Sequence, residues 1–158
     1  MKRRIKEIIS WLLVIIWMII IFVLSNTPAK VSTKDSKQVI ENTIVVSTNI
    51  TNNVGITNYH PTESELKKLV KKLNGPLRET MHSVEYLILA ILLLIALNNS
   101  NIKKKYLISI AICFIYCLTD EYHQTFISGR AFELKDILLD TIGASLGLLI
   151  YKIIKKDK

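Results

Sequence analysis

The chain has 158 residues, half of them hydrophobic, and a formal charge of +8. That length suits one domain, and so high an apolar share points toward lipid rather than water. The lysines and arginines stand at the ends of apolar runs, not along a helix interleaved with aromatics, which argues against a nucleic-acid partner.

The first predicted element is an apolar helix over residues 8–24, preceded by the basic run KRRIK. Its apolar core exceeds the ~7 to 15 residues of a cleaved signal peptide, and Pro28 sits where a small cleavage-site residue is wanted, so an uncleaved anchor is expected. An outer loop over residues 25–81 follows. Its first part, SNTPAKVSTKDSKQVIENTIVVSTNITNNVGITNYHP, is rich in Thr, Asn, Ser and Val. Val39, Ile40 and Ile44 hint at a helix while the β-branched run suits an extended segment equally, so residues 32–60 stay unassigned. The second part, TESELKKLVKKLNGP, reads as an amphipathic helix. Thr62 and Glu65 fit a capping box, Leu66, Leu69, Val70 and Leu73 recur at helical spacing, and Lys67, Lys68, Lys71 and Lys72 occupy the other face. Asn74, Gly75 and Pro76 read as its end. Its apolar face suits either the outer leaflet or the rest of the bundle.

Three further apolar runs, over 82–97, 106–122 and 136–154, are, like the first, roughly 16 to 19 residues long, near the ~17 to 25 that span a bilayer as a helix. The first two of these gain weight as a pair, because NNSNIKKK between them makes a short polar hairpin connection. Cys113 and Cys117, one helical turn apart, read as small buried apolar residues; a zinc or redox site would use closer spacing and more partners. The expected fold is therefore all-α: a single domain over 1–158, built as a compact bundle of four transmembrane helices with an amphipathic outer helix. With the amino end inside, the cytoplasmic pieces hold eleven Lys and Arg against Glu7 and Asp157, leaving ten basic and eleven acidic residues elsewhere. That bias predicts a multi-pass protein of the cell membrane with both termini cytoplasmic.

This orientation brings the unusual residues to one membrane face. Arg78, His82, Glu85 and Tyr86 enter the second span, related by steps of three and four. Asp120, Glu121, His123 and Gln124 leave the third, and Asp136 and Asp140 enter the fourth one turn apart. Gly143 and Gly147 continue that last stripe as a small-xxx-small seam for close helix packing. Loop ion pairs account for Arg78, Glu79, Glu133 and Lys135. They account poorly for Glu85, Asp140 and the doubled Asp120-Glu121, since an ionisable residue at the bilayer centre costs at least ~2.5 to 3.5 kcal/mol. A functional polar pocket is the better reading.

The stretches RETMHSVEYLILAILL, YCLTDEYHQTFISGRAFELKDILLDTIGASLG and FVLSNTPA resemble the VanZ-like integral membrane family. The DEYHQ-to-GR segment with the following D-x3-D-x2-G-x3-G is the most specific part, and only the outer loop falls outside the likeness. The resemblance implies a compact helical membrane fold and, through the founding type, low-level resistance to the glycopeptide antibiotic teicoplanin in Gram-positive bacteria. It supplies no reaction. The matching positions are Arg78, His82, Tyr86, Asp120, Glu121, His123, Gln124, Arg130, Asp136, Asp140 and Gly143. Arg78 stands where lysine is common, which keeps the cation and changes its bonding geometry.

Two main functions fit such a pocket. An enzyme acting on a lipid-linked cell-wall precursor would use His82 or His123 to exchange protons, with Asp120, Glu121 or Asp140 orienting an imidazole or activating water. Arg78 and Arg130 would hold a phosphate or carboxylate, with Tyr86, Gln124 and Asp136 as further binding groups. No GxSxG, HExxH or phosphate-cradling glycine loop is present, and Ser83 and Ser128 are merely near. No metal is assigned: the ligand types exist, but the spacing is no established signature and the arginines oppose a cation. Other cofactors are left open. The alternative is a non-catalytic protein that binds or shields a precursor or the glycopeptide. A transporter is less favoured, because the cytoplasmic half lacks matching polar residues.

Overall fold

In the computed structural model, which describes residues 2–156, the apolar run that opens the chain is one helix, α1 (Lys2–Ser25). The region left unassigned by its composition is mostly a second helix, α2 (Ala29–Asn53). Its hydroxyl residues explain why a Thr/Ser/Val-rich segment is helical here. Ser36, Thr43, Thr48 and Thr51 donate to the carbonyls of Ser32, Val39, Ile44 and Ser47, at 2.7, 2.7, 2.9 and 3.1 Å, so their polar groups are satisfied along the helix itself. The chain then turns through Gly55, whose φ of 75° is left-handed, and Asn52 Nδ2 donates to the Tyr59 carbonyl at 2.9 Å to close the turn.

The next helix corrects a sequence expectation. The capping box forms as expected, with Thr62 accepting from the Glu65 N–H and Glu65 accepting from the Thr62 N–H. The helix does not stop at Asn74-Gly75-Pro76, however; α3 runs unbroken over Glu63–Asn99, 37 residues, with Pro76 inside it. An interior proline costs about 3 kcal/mol relative to alanine. Packing on both sides of it offsets that cost: Val70 before the proline is buried where α3 packs on α2, and the deeply buried Tyr86 and Leu89 follow it. The amphipathic helix is thus the first part of α3; Leu66 and Val70 of its apolar face lie beside α2, while Leu69 and Leu73 are exposed. At 1.5 Å per residue α3 is about 55 Å long, well beyond the ~30 Å hydrocarbon layer, so its lysine-rich start projects. Helix α2 runs antiparallel along that projection, since Lys37 and Glu41 of α2 adjoin Leu66 and Val70 while Ser32 and Asp35 adjoin Leu77 and Met81.

Two more helices complete the chain, α4 (Lys105–Gln124) and α5 (Leu134–Lys156), giving five helices and no strand among the described residues. The upper part of α3 is apolar on all sides and forms the centre, with Leu89, Ala90, Leu93, Leu94, Ala96 and Leu97 almost wholly enclosed. It touches every other helix. Against α5 the approach is closest, and glycine makes it so: a Cβ on Gly143 would collide with the Ser83 carbonyl, and one on Gly147 with that of Leu87. The outer faces are greasy. Ile9, Leu13, Ile16 and Val23 of α1, Leu107 and Ile115 of α4, and Leu138, Ile142, Leu146 and Ile153 of α5 are all exposed, an apolar belt far larger than a soluble monomer carries. Three helices, α1, α3 and α5, are long and apolar enough to cross a membrane. Helix α4 has the length, but its last turns carry Asp120, Glu121, His123 and Gln124 and so fall short in apolar character.

Candidate functional site

The polar residues singled out above gather where α1 and α4 end and α5 begins, around the middle of α3. The α4–α5 connection is pinned there by backbone contacts. Ala29 N–H donates to the Ser128 carbonyl at 3.2 Å. Gly129 has a left-handed φ of 77°, and a Cβ on it would lie 3.2 Å from that of Ala29, so this position needs glycine.

A chain of hydrogen bonds runs inward from this loop. Arg130 Nε donates to the Thr27 carbonyl at 3.1 Å and its Nη1 to Gln124 Oε1 at 2.8 Å. Gln124 Nε2 donates to Asp120 Oδ2 at 3.2 Å, and the same oxygen accepts from Ser25 Oγ at 2.8 Å. Asp120 is 4% exposed and its Oδ1 has no partner in the protein. Ser25 is fully buried, a site residue that sequence reasoning missed, as it did Thr27. The available signal was a serine closing an apolar run in FVLSNTPA.

The doubled acid Asp120-Glu121 divides its labour. Glu121 Oε1 accepts from the Glu133 N–H at 2.8 Å, immediately before α5, where helix-start N–H groups lack intrahelical partners. Expected as catalytic, Glu121 sits 2% exposed with this positioning bond and lines neither cavity of the site. His123, also expected as catalytic, turns toward α1 and stacks on Phe22 with ring centroids 4.6 Å apart; it lines neither cavity of the site. Tyr86, expected to bind substrate, is fully enclosed, 6.1 Å from Tyr116 between ring centroids, with its hydroxyl unpartnered. Asp140 is 4% exposed and accepts from Cys117 Sγ at 3.5 Å through Oδ2, its Oδ1 again unpartnered. Tyr86 and Asp140 therefore lie beneath the cavities rather than in their walls.

Those walls are made by other predicted residues. A polar cavity of about 200 Å³ is bounded by Arg78, His82, Gln124, Arg130 and Asp136, with Glu79 and Glu133 beside them. A second cavity of about 320 Å³ adjoins it; Leu24, Val39, Leu77 and Met81 form its apolar wall, and Thr27, Ser32, Asp35, Ser36 and Glu85 line it together with Arg78, His82 and Arg130. His82 Nδ1 lies 3.3 Å from Glu85 Oε2, an ion-pair distance if the imidazole is protonated. Burial first, and then the neighbouring Arg78 charge, lower the Arg130 guanidinium from its ordinary value, although a guanidinium remains charged in a protein. Glu79 is engaged by Lys135 at 2.7 Å. Among the described residues no three His, Cys, Asp or Glu side chains converge in a way that would hold a metal ion. A wider depression of about 750 Å³ along Lys30, Lys34 and Lys37 of α2 is shallow and shares no lining residue with either cavity.

Long apolar helices wrapped by an exposed greasy belt, with buried acids and arginines gathered at one end, define a helical membrane protein with a polar site. The chain belongs to the VanZ/LLP1 family, whose sequence profile matches residues 10–155, nearly its whole length and every residue of the site. No curated protein and no solved structure matches it.

Proposed function

We propose that this polar end is a pocket, facing outward from the cell, for an amphiphilic molecule of the envelope. In this reading the chain is one domain that crosses the membrane four times near residues 8–24, 82–97, 106–122 and 136–154, with α4 as the third crossing and both termini cytoplasmic. Twenty residues of α4 give about 30 Å, enough for the hydrocarbon layer once its polar last turn lies at the interface. The pocket serves glycopeptide resistance of the teicoplanin type, or modifies a lipid-linked envelope substrate.

One observation supports the reading above others: a polar cavity and a largely apolar one meet along a shared wall, as an amphiphile requires. Chemistry there would rest on His82, with Glu85 beside it as the partner that tunes its proton exchange. Arg78 and Arg130 would hold the anionic part. Asp120 and Asp140 would act from below.

Pure binding or shielding, without catalysis, is favoured by a different observation. Ser25 Oγ donates to Asp120 and Ser83 Oγ donates to the Leu139 carbonyl at 2.5 Å, so neither hydroxyl is paired with a histidine base as a nucleophile would be. Purified protein incubated with lipid-linked cell-wall precursors and read by mass spectrometry separates the two. A new product that needs His82 supports catalysis, saturable binding without product supports shielding, and neither product nor binding removes the lipid-linked precursor as the pocket's ligand.

A further inference from the structure

The two cavities have only three residues in common, Arg78, His82 and Arg130. All three offer N–H donors, and no acid lies on that shared edge. Arg130 spends Nε and Nη1 on Thr27 and Gln124, which fixes the plane of its guanidinium and leaves Nη2 uncommitted. Among the described residues neither arginine has a carboxylate oxygen within 4.0 Å. The acids nearby are otherwise engaged or placed: Glu79 holds Lys135, Glu85 faces His82, and Asp35 and Glu133 are exposed at the mouths. Asp136 alone stands against the arginines inside the polar compartment. An anchored Arg130 and a half-buried Arg78, neither with a carboxylate oxygen within 4.0 Å, at a boundary between a polar and an apolar space, match the one place in a lipid where a phosphate joins head to tail.

Volume limits what lies beyond the phosphate. The polar compartment measures about 200 Å³. Drug-sized ligands occupy clefts from ~300 Å³ upward, so a headgroup of sugar-peptide size, or a glycopeptide antibiotic, exceeds the polar compartment.

Resting on the amphiphile-pocket reading, we infer that the ligand class is a lipid phosphate with a compact headgroup or none: the phosphate sits among Arg78, His82 and Arg130, and the tail leaves along Leu24, Val39, Leu77 and Met81. Leu24 and Met81 are exposed at the apolar mouth, where a tail would pass into the bilayer.

The test uses the full chain in detergent micelles, titrated by native mass spectrometry with dioleoyl phosphatidic acid, dioleoylglycerol, inorganic phosphate and a lipid-linked disaccharide-peptide precursor. Phosphatidic acid is expected to saturate at a concentration at least tenfold below the other three. The pair Arg78→Gln with Arg130→Gln should weaken it at least tenfold, and Arg130→Lys, which keeps the charge and loses the fork, should weaken it several-fold should the double variant not fold. Met81→Asn should weaken phosphatidic acid and leave inorganic phosphate unchanged. Equal binding of dioleoylglycerol, or inorganic phosphate as strong as phosphatidic acid, would overturn the inference. Tighter binding of the large precursor would overturn it too while leaving the amphiphile pocket standing, whereas binding of none of the lipids would sink both.

Discussion

The two ends of the bundle handle buried polar groups in opposite ways. At the end holding the α3–α4 connection most have a partner, the buried Ser109 Oγ in the first turns of α4 being the exception among the described residues. Ser10 Oγ donates to the Glu7 carbonyl at 2.8 Å, Asn99 Nδ2 to Ser10 at 3.3 Å, Trp11 Nε1 to Ser100 at 3.1 Å and Lys105 Nζ to Asn98 at 2.7 Å. These bonds clip α1, α3 and α4 together and use up their donors and acceptors. At the other end seven buried side-chain atoms, on His82, Glu85, Tyr86, Asp120, His123, Asp136 and Asp140, make no hydrogen bond within the protein, although His82 Nδ1 and Glu85 Oε2 lie 3.3 Å apart; elsewhere among the described residues only Asn74 and Ser109 share that condition. An unsatisfied buried polar group costs ~1 to 3 kcal/mol, and more when charged. Packing alone gives no reason to keep several in one place, whereas a site that must receive a ligand does.

Substitutions can break or sharpen this contrast. The largest effect is expected away from both ends: Gly143→Val puts side-chain atoms into the Ser83 backbone. Overpacking of a tight core costs typically 1 to 3 kcal/mol and here has no room to relax, so loss of monodisperse protein on gel filtration is expected. At the closed end, Asn99→Ala removes one clip and should cost about 1 kcal/mol, read as a lower unfolding midpoint in detergent, with ligand binding and any envelope phenotype unchanged. At the open end the pattern should invert. Substituting an under-partnered acid removes a group that burdens the fold, so function should fall while the midpoint holds or rises.

The same contrast explains what was legible in the sequence. Glu85, Asp120 and Asp140 stand out because acids interrupt apolar runs, and the steps of four, three and four from Asp136 to Gly147 mark a seam for close helix packing, which the structure fills with α3. Less legible was anything that depends on neighbours distant in the chain. The roles of Asp120 and Glu121 diverge because one meets Ser25 and the other the start of α5, contacts with no trace in local spacing. His123 shares a helix with Asp120 but turns to Phe22, since α4's end leans on α1. The helical stop at Asn74-Gly75-Pro76 looked firm from local rules, and tertiary packing on α2 overrode it. Hydroxyl-rich α2 was undecidable because the bonds from Ser36 and its neighbours to preceding carbonyls stabilise a helix only once it has formed.

The central claim is that the open end is kept for a ligand at a cost to the fold. Asp120→Asn tests it most directly, because the change is isosteric and touches a residue with one bonded and one unpartnered oxygen. Thermal unfolding and phosphatidic acid binding should be measured on the same preparation. An unfolding midpoint equal to or above wild type, with the affinity for phosphatidic acid changed at least several-fold, is the predicted outcome. A midpoint several degrees lower with binding intact would mean that Asp120 is a structural residue, and the claim would fall.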